Sequence, residues 1–411
     1  MLNPQGYVTH PAPLGKTDTG GQTLYVLQLA KALGEQGIKV DIFVRQFKGL
    51  EKNEKPWPNV EIIRIPSGPQ EFLPKEKLYE EMPVFVENIM HYLEKTRKKY
   101  QLIHSHYWDG GYGGIIMSKM LDIPHVHTPH PLGKLKKIEM DVQEAPVKKL
   151  KPMYRYHVRI AIEQKIMNKA NAVVVICETS RIQILQHYMV DFEKINVIFP
   201  GIDTKYFNTK KNHNDNKYAL KHNSILTVSR LVPAKGIDRV IDAVSYINKK
   251  IDFHLYIAGG SSNNQMSKEE IQVKDQLNML IKKHRLQNKV SFLGFVDHDH
   301  VLPAIYRNAD LFILGGRYEP FGLTTMEAMA CETVPLVSKV AGSREIIIDG
   351  LNGYIIDTSK RKEMASLILK LLEDKKLKNK VAQNAAFTVE KHYSWDKISK
   401  KFLDLYNKLL K

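Results

Sequence analysis

Glu319-Pro320-Phe321-Gly322-Leu323-Thr324-Thr325-Met326-Glu327-Ala328-Met329 sets two carboxylates around a glycine-containing helix start, and Arg230 and Lys235, earlier in the chain, supply the matching positive charge. Residues 323–331 read as a helix, so unpaired backbone N–H groups near Phe321, Gly322 and Leu323 are expected to point at an anion. Glu319 falls in the loop before that helix and Glu327 just over one turn inside it. A carboxylate accepts two hydroxyl hydrogen bonds and needs no metal to do so. One glutamate can therefore meet sugar hydroxyls at a reacting end while the other meets a ribose. Glu327 alone would read as a solvated residue on a capped helix; Arg230 and Lys235 shift the balance toward a site for a nucleoside diphosphate carrying a sugar.

The chain has 411 residues and is 43% hydrophobic, ample for two cored domains and unlike a disordered polymer. Only Cys177 and Cys331 are present, each in an apolar stretch, which suits core thiols in a reducing compartment. No run of about 18 apolar residues occurs and the opening residues show no signal-peptide pattern, so a cytoplasmic location is expected. The formal charge of +17 fits an anionic substrate, a membrane surface or nucleic acid. Much of it comes from lysines scattered over amphipathic segments such as 361–376 and 397–411, where a solvated face is the commoner explanation. No aromatic-interleaved basic motif or zinc-finger spacing favours nucleic acid. Peripheral membrane contact stays open, because basic amphipathic helices also bind anionic lipid.

Strand and helix signals alternate twice over. In the first half residues 22–34 carry Val26, Leu29, Ala30 and Leu33 at helical spacing, followed by strand candidates at 38–44, 60–65, 102–106, 125–128, 172–177 and 195–199. The polar stretch 208–223 reads as a linker. The second half restarts with strands at 225–229, 254–258, 290–295, 311–314, 334–338 and 354–356, and helices at 237–247, within 268–285 and at 300–308. Such alternation predicts an α/β fold with parallel sheets and helices on both faces. Two Rossmann-like halves would present the loops beyond their strand ends to a cleft. The candidates share that placement: Asp18-Thr19-Gly20-Gly21-Gln22 before the first helix, residues 127–133 after a strand, 230–236 after another, and 319–323 after a fourth.

Each motif has a plainer reading. Most Gly-Gly turns are only turns, and a lone cationic pair is more often solvated surface. His104, His106, His125, His127 and His130 invite a metal reading, but no Asp, Glu or Cys lies at ligand spacing. Asp297-His298-Asp299 directly precedes a helical run, so helix capping is expected there. A hydrolase elbow, a Walker loop and a Gly-x-Gly-x-x-Gly fingerprint are all missing from the sequence, and nothing supports an oxidoreductase.

These residues resemble a family-4 retaining glycosyltransferase of GT-B architecture, two Rossmann-like domains facing across a central cleft, and the likeness spans nearly the whole chain. Residues 18–22, Phe72-Leu73-Pro74-Lys75-Glu76, Ser105-His106-Tyr107-Trp108-Asp109 and His127-Thr128-Pro129-His130 are similar to the sucrose-phosphate synthase and mannosylfructose-phosphate synthase branch. The resemblance implies domains at 1–205, rejoined by helices at 386–411, and at 206–385. It implies that Arg230 and Lys235 bind the donor diphosphate, Glu327 the ribose, and Glu319 with the backbone of Phe321, Gly322 and Leu323 the donor hexose. His130 would lie beside the donor sugar and the reaction centre, and Gly21 and Gln22 would face both diphosphate and acceptor. Lys75, Tyr107, Lys136 and Arg159 would hold a phosphorylated ketose, with Lys136 and Arg159 on its phosphate.

The expected reaction moves glucose or mannose from a nucleotide sugar such as UDP-glucose or GDP-mannose to fructose 6-phosphate. It retains configuration and uses neither metal nor further cofactor. The chain opens at Met1-Leu2-Asn3-Pro4, so either the assigned start is short or the first strand usual in the family is reduced, and Pro131 stands where the branch has serine. Pro131 and the positive charge motivate the alternative acceptor, a lipid-linked or cell-envelope glycan.

Overall fold

The computed structural model describes residues 1–14, 19–71, 73–142, 155–210, 215–260 and 266–411. It divides into two units, Met1–Gly201 with Trp395–Lys411, and Ile202–Ser394. The chain therefore passes between units at Gly201, ahead of the expected 205, and returns at Trp395 instead of 386. The helix Lys375–His392 stays with the second unit, whose core takes up Val381 and Ala382. The stretch 208–223 is no linker. Asp215 is buried there and accepts from Arg307 Nε and Nη2 at 2.7 and 2.8 Å, while Arg307 Nη1 donates to the Asn208 carbonyl at 3.3 Å. Its polar composition serves an ion pair that fastens the segment to the second unit; residues 211–214 lie outside the described residues.

The first unit holds β1 (Val40–Arg45), β2 (Asn53–Trp57), β3 (Val60–Ile65), β4 (Ile103–His106), β5 (His125–Thr128), β6 (Ala172–Val175) and β7 (Ile195–Val197). One sheet runs β1-β3-β2 and the other β4-β5-β6-β7, parallel throughout except for β2 against β3. Residues 1–3 lie between them. Leu2 N donates to the His104 carbonyl at 2.9 Å, His106 N to the Leu2 carbonyl at 3.0 Å, and Asn3 N to the Phe43 carbonyl at 3.1 Å. β2 was not anticipated, because Asn-Glu-Lys-Pro-Trp is polar and carries Pro56; such a strand is tolerated only at a sheet edge, where it sits. The helix Trp395–Leu409 packs on this unit, with Trp395 Nε1 donating to Gln28 Oε1 at 2.7 Å.

The second unit holds β8 (Ser224–Val228), β9 (His254–Ala258), β10 (Val290–Gly294), β11 (Leu311–Leu314), β12 (Val334–Ser338) and β13 (Tyr354–Ile356), all parallel, in the order β10-β9-β8-β11-β12-β13. Buried on both faces, β9, β11 and β12 read as continuous apolar runs. The helix Ile237–Ser245 covers the sheet with Ile237, Val240, Ile241 and Val244, one helical stripe, all buried. Burial of such side chains stabilises by roughly 1.5–3 kcal/mol each. The helix Lys268–Lys283 starts on a reciprocal cap, Ser267 Oγ accepting from Glu270 N at 3.2 Å and Ser267 N donating to Glu270 Oε2 at 3.0 Å. Strand order reverses between β8 and β11, so the loops after these two strands leave the sheet side by side, the position where open α/β sheets bind ligands. Among the described residues no helix is long and apolar enough to cross a membrane.

Candidate active site

In the second unit the loops after β8 and β11 are pressed together. Gly236 has φ +62°, and a Cβ there would lie 2.1 Å from the Gly315 carbonyl oxygen, so only glycine fits. Arg317 N donates to the Ala234 carbonyl at 2.7 Å, and its guanidinium reaches the Pro233 carbonyl at 2.9 Å and both Asp238 oxygens at 2.7 and 2.5 Å. This brace carries Lys235, at the end of the turn Pro233–Lys235, to Glu319: Nζ to Oε2 is 2.5 Å, with both side chains largely shielded from water. Arg230 lies on the same loop with its side chain exposed.

The Glu319 loop is pinned in turn. Gly342 N donates to the Glu319 carbonyl at 3.1 Å and Ser343 N to the Phe321 carbonyl at 2.9 Å. Gly322, at φ +96° with Leu314 Cδ2 2.6 Å from where a Cβ would stand, turns the chain into the helix Leu323–Ala330. No side chain caps that helix, and its first turn carries no acid. The backbone around Phe321, Gly322 and Leu323 thus offers a helix N-terminus beside a lysine, an arrangement suited to an anion.

Glu327, 3% exposed, is held inside the same helix. Its Oε1 accepts from His298 Nε2 at 3.0 Å and its Oε2 from the Tyr306 hydroxyl at 3.0 Å, while His298 Nδ1 meets Asp299 Oδ1 at 2.7 Å. Burial works against a charged ring, but the Glu327 carboxylate and the bonds to Asp299 and Glu327 outweigh it and raise His298 to about 10. The ring is a cation at neutral pH. The expected helix cap does not form: the helix starts at Leu302 with no side-chain cap, Asp297 Oδ1 accepts from His300 N at 2.7 Å in the turn ahead of it, and His298 turns to Glu327 instead.

The first unit gathers the other candidates. Gly21 opens the helix Gly21–Glu35, which has no side-chain cap, and Gln22 Nε2 donates to Asn3 Oδ1 at 2.9 Å. Tyr107 is buried at φ +64° and accepts from Arg159 Nη1 at 2.8 Å; Lys136 Nζ stands 6.0 Å from its ring centroid. Arg159, also buried, donates to Glu163 Oε1 at 2.7 Å and to the Pro131 carbonyl. Glu163 accepts from Gly133 N with both oxygens at 3.0 Å. Tyr107, Lys136 and Arg159 are therefore together, and Arg159 also fixes the turn that follows His130. The side chain of Lys75 lies outside what the structure describes, as do Phe72 and Asp18.

His130 takes φ +55°, stacks edge-on to Tyr25 at 5.3 Å, and shares a hydrogen bond of 3.2 Å between its Nε2 and His106 Nδ1. Desolvation lowers it to about 3, so the ring is neutral at physiological pH and can meet sugar hydroxyls without adding charge. On the opposite face of the strands Ser105 Oγ bridges His125 Nε2 at 2.6 Å and His127 Nδ1 at 2.9 Å. Among the described residues no group of three or more His, Cys, Asp or Glu side chains is arranged to hold a metal ion. His298, Tyr306 and Arg317 escaped sequence reasoning. The one available signal was a histidine set between two aspartates.

Residues 19–206 match Glycosyltransferase Family 4 and residues 208–387 match Glycosyl transferases group 1. The chain is 32% identical over 413 residues to mannosylfructose-phosphate synthase of Agrobacterium fabrum, covering 98% of this chain and 90% of that one. It is 29% identical to D-inositol 3-phosphate glycosyltransferase of Paenarthrobacter aurescens, covering 97% and 96%. The solved sucrose-phosphate synthase from Thermosynechococcus elongatus superposes with a TM-score of 0.84 at 26% identity, covering 99% and 98%. Two loops pressed together at a parallel-sheet switch point, on a chain alike over its whole length to these enzymes, mean that it belongs to the family-4 glycosyltransferases of the GT-B class, in the group of sucrose-phosphate synthase, mannosylfructose-phosphate synthase and D-inositol 3-phosphate glycosyltransferase.

Proposed function

We propose that the protein transfers glucose or mannose from a nucleoside diphosphate sugar to fructose 6-phosphate, with retention of configuration and with neither metal nor further cofactor. The observation that carries this reading is the Lys235–Glu319 pair at the uncapped start of the helix Leu323–Ala330, since it sets a cation for a diphosphate beside an acceptor of sugar hydroxyls. The cationic cluster of Lys136 and Arg159 around Tyr107 supports a phosphorylated acceptor. The acceptor hydroxyl forms its bond to the anomeric carbon on the face from which the nucleotide departs, and the leaving phosphate takes the hydroxyl proton. Lys235 and Arg230 stabilise the charge growing on that phosphate, in the place a metal ion would otherwise fill. Preorganised donors of this kind contribute about 2.7–4 kcal/mol each.

A phosphorylated inositol is the second reading, favoured by the similarity to D-inositol 3-phosphate glycosyltransferase. Incubation with UDP-glucose or GDP-mannose, each with fructose 6-phosphate or inositol phosphate in the presence of a chelator, separates the two. A phosphorylated disaccharide whose new linkage keeps the donor's anomeric configuration by NMR supports the first reading. Product from inositol phosphate alone transfers the assignment to the second. An inverted linkage, or activity lost to the chelator, overturns the mechanism.

A further inference from the structure

Away from the Lys235–Glu319 pair, the second unit gathers three guanidiniums where the helices Ile237–Ser245 and Arg361–Glu373 begin. Arg239 Nη1 donates to the Thr358 hydroxyl at 2.7 Å, which sets the two helix starts side by side, and neither start has a side-chain cap. Thr358 is buried and follows β13, two strands or about 10 Å along the sheet from β11. Arg361 Nη1 donates to the Ser359 carbonyl at 2.7 Å, and Arg317, bonded to Asp238, stands beside them. The carboxylates nearby are already engaged: both Asp238 oxygens by Arg317, Asp242 by His284 at 2.8 Å with Arg361 Nε 3.9 Å off, and Asp357 by Lys339 at 2.7 Å. Among the described residues Arg239 Nε is buried without an acceptor. Burial and the positive charges of Arg317 and Arg361 hold the Arg239 guanidinium below its ordinary value, and Asp238 and Asp357 do not offset them. A guanidinium keeps its charge in a protein, so an anion is what relieves this crowding. A tetrahedral oxyanion can bridge the Arg239 and Arg361 forks and accept the Thr358 O–H, which is left to donate because its oxygen accepts from Arg239. A small turn of Arg239 toward that anion would pair its Nε as well. We propose that Arg239, Arg361 and Thr358 form a binding site for a phosphate group, apart from the donor and acceptor positions, whose occupant steadies the Arg317 brace under the Lys235 loop.

The test is calorimetric titration of the full chain with inorganic phosphate, with glycerol 3-phosphate as an ester source and with chloride at matched ionic strength, each followed by hydrogen exchange with mass spectrometry. Saturable binding of phosphate is expected, with slower exchange at 233–239 and 357–362 and no such protection from chloride. Binding of glycerol 3-phosphate in place of inorganic phosphate, with the same residues protected, supports the site with an ester as its ligand. Arg239→Gln and Arg361→Gln should each weaken binding about tenfold or more, the worth of a hydrogen bond to a charged group. Arg361→Gln decides the matter if Arg239→Gln does not fold. Three results overturn the proposal: an equal effect of chloride, which is general screening; protection confined to 319–324 or 130–137, which places phosphate at the donor or acceptor position; and binding unchanged in the variants.

Discussion

His104, His106, His125, His127 and His130 in the first unit and His298 in the second are all desolvated, yet they settle in opposite charge states. The first five are lowered by burial, His125 and His130 to about 3 and the others well below the ordinary histidine value. His298 is raised to about 10. Their neighbours differ. The five stand beside hydroxyls and one another, His104 between Tyr406 and Thr128 at 2.7 and 2.8 Å; burial disfavours the charged form of every ring, and His104, His106 and His127 are also repelled as cations by neighbouring histidines. His298 stands between two carboxylates. One strand plan thus carries an uncharged polar interior around His130 and a charge-paired one around Glu319 and Glu327.

The largest expected effect is on stability against pH. In the first unit the folded histidines hold their protons less tightly than the unfolded chain. Stability is therefore complete above about pH 6.5 and is lost as pH falls toward 3, with each group contributing up to about 1.4 kcal/mol per pH unit. The three tryptophans, Trp57, Trp108 and Trp395, all lie in that unit, so tryptophan fluorescence reports it. The unfolding free energy from urea titration followed by fluorescence should drop by several kcal/mol between pH 7 and pH 4; a flat profile would contradict the contrast between the two sets of histidines. His298 has the reverse sign. Its contribution is complete below about 6.5 and is lost as pH rises through about 10, which hydrogen exchange of the second unit should follow.

Lys235→Ala should lower kcat by about 10²–10³ and change donor affinity less, as expected for a group that acts on transition-state charge. An unchanged kcat with only a raised KM would deny it that role. Lys136→Ala should weaken the phosphorylated acceptor by about 1.5–3 kcal/mol and leave donor affinity as it was. An equal loss for both substrates would erase the division between units. Gly236→Ala, at φ +62° against the Gly315 carbonyl, should cost about 1–3 kcal/mol in the second unit and leave the tryptophan-reported transition of the first unmoved.

What could be read from the sequence follows the distance between partners along the chain. Glu319 and Glu327 share one loop and one helix, and apolar runs such as Leu311–Leu314 and Val334–Ser338 mark buried parallel strands with bounds as expected. The partners that complete the site come from remote segments: His298 and Tyr306 meet Glu327 from 29 and 21 positions away, and Arg317 meets Asp238 from 79. Only the fold brings these together. Residues 208–223 misled for a related reason, since Asp215 finds Arg307 92 positions on and a polar segment with one distant ion pair has the composition of a linker. The grouping of Tyr107, Lys136 and Arg159 in the first unit was expected only through family resemblance, because the three lie on three different helices.

The measurement that bears most directly on the division of labour is hydrogen exchange with mass spectrometry, with the nucleotide sugar and fructose 6-phosphate added separately and together. The nucleotide sugar alone should protect residues 229–237 and 319–327 in the second unit, and fructose 6-phosphate should add protection at 130–137 and 156–163 in the first. Protection of the first unit by the nucleotide sugar alone, with the second unit unchanged, would contradict that division.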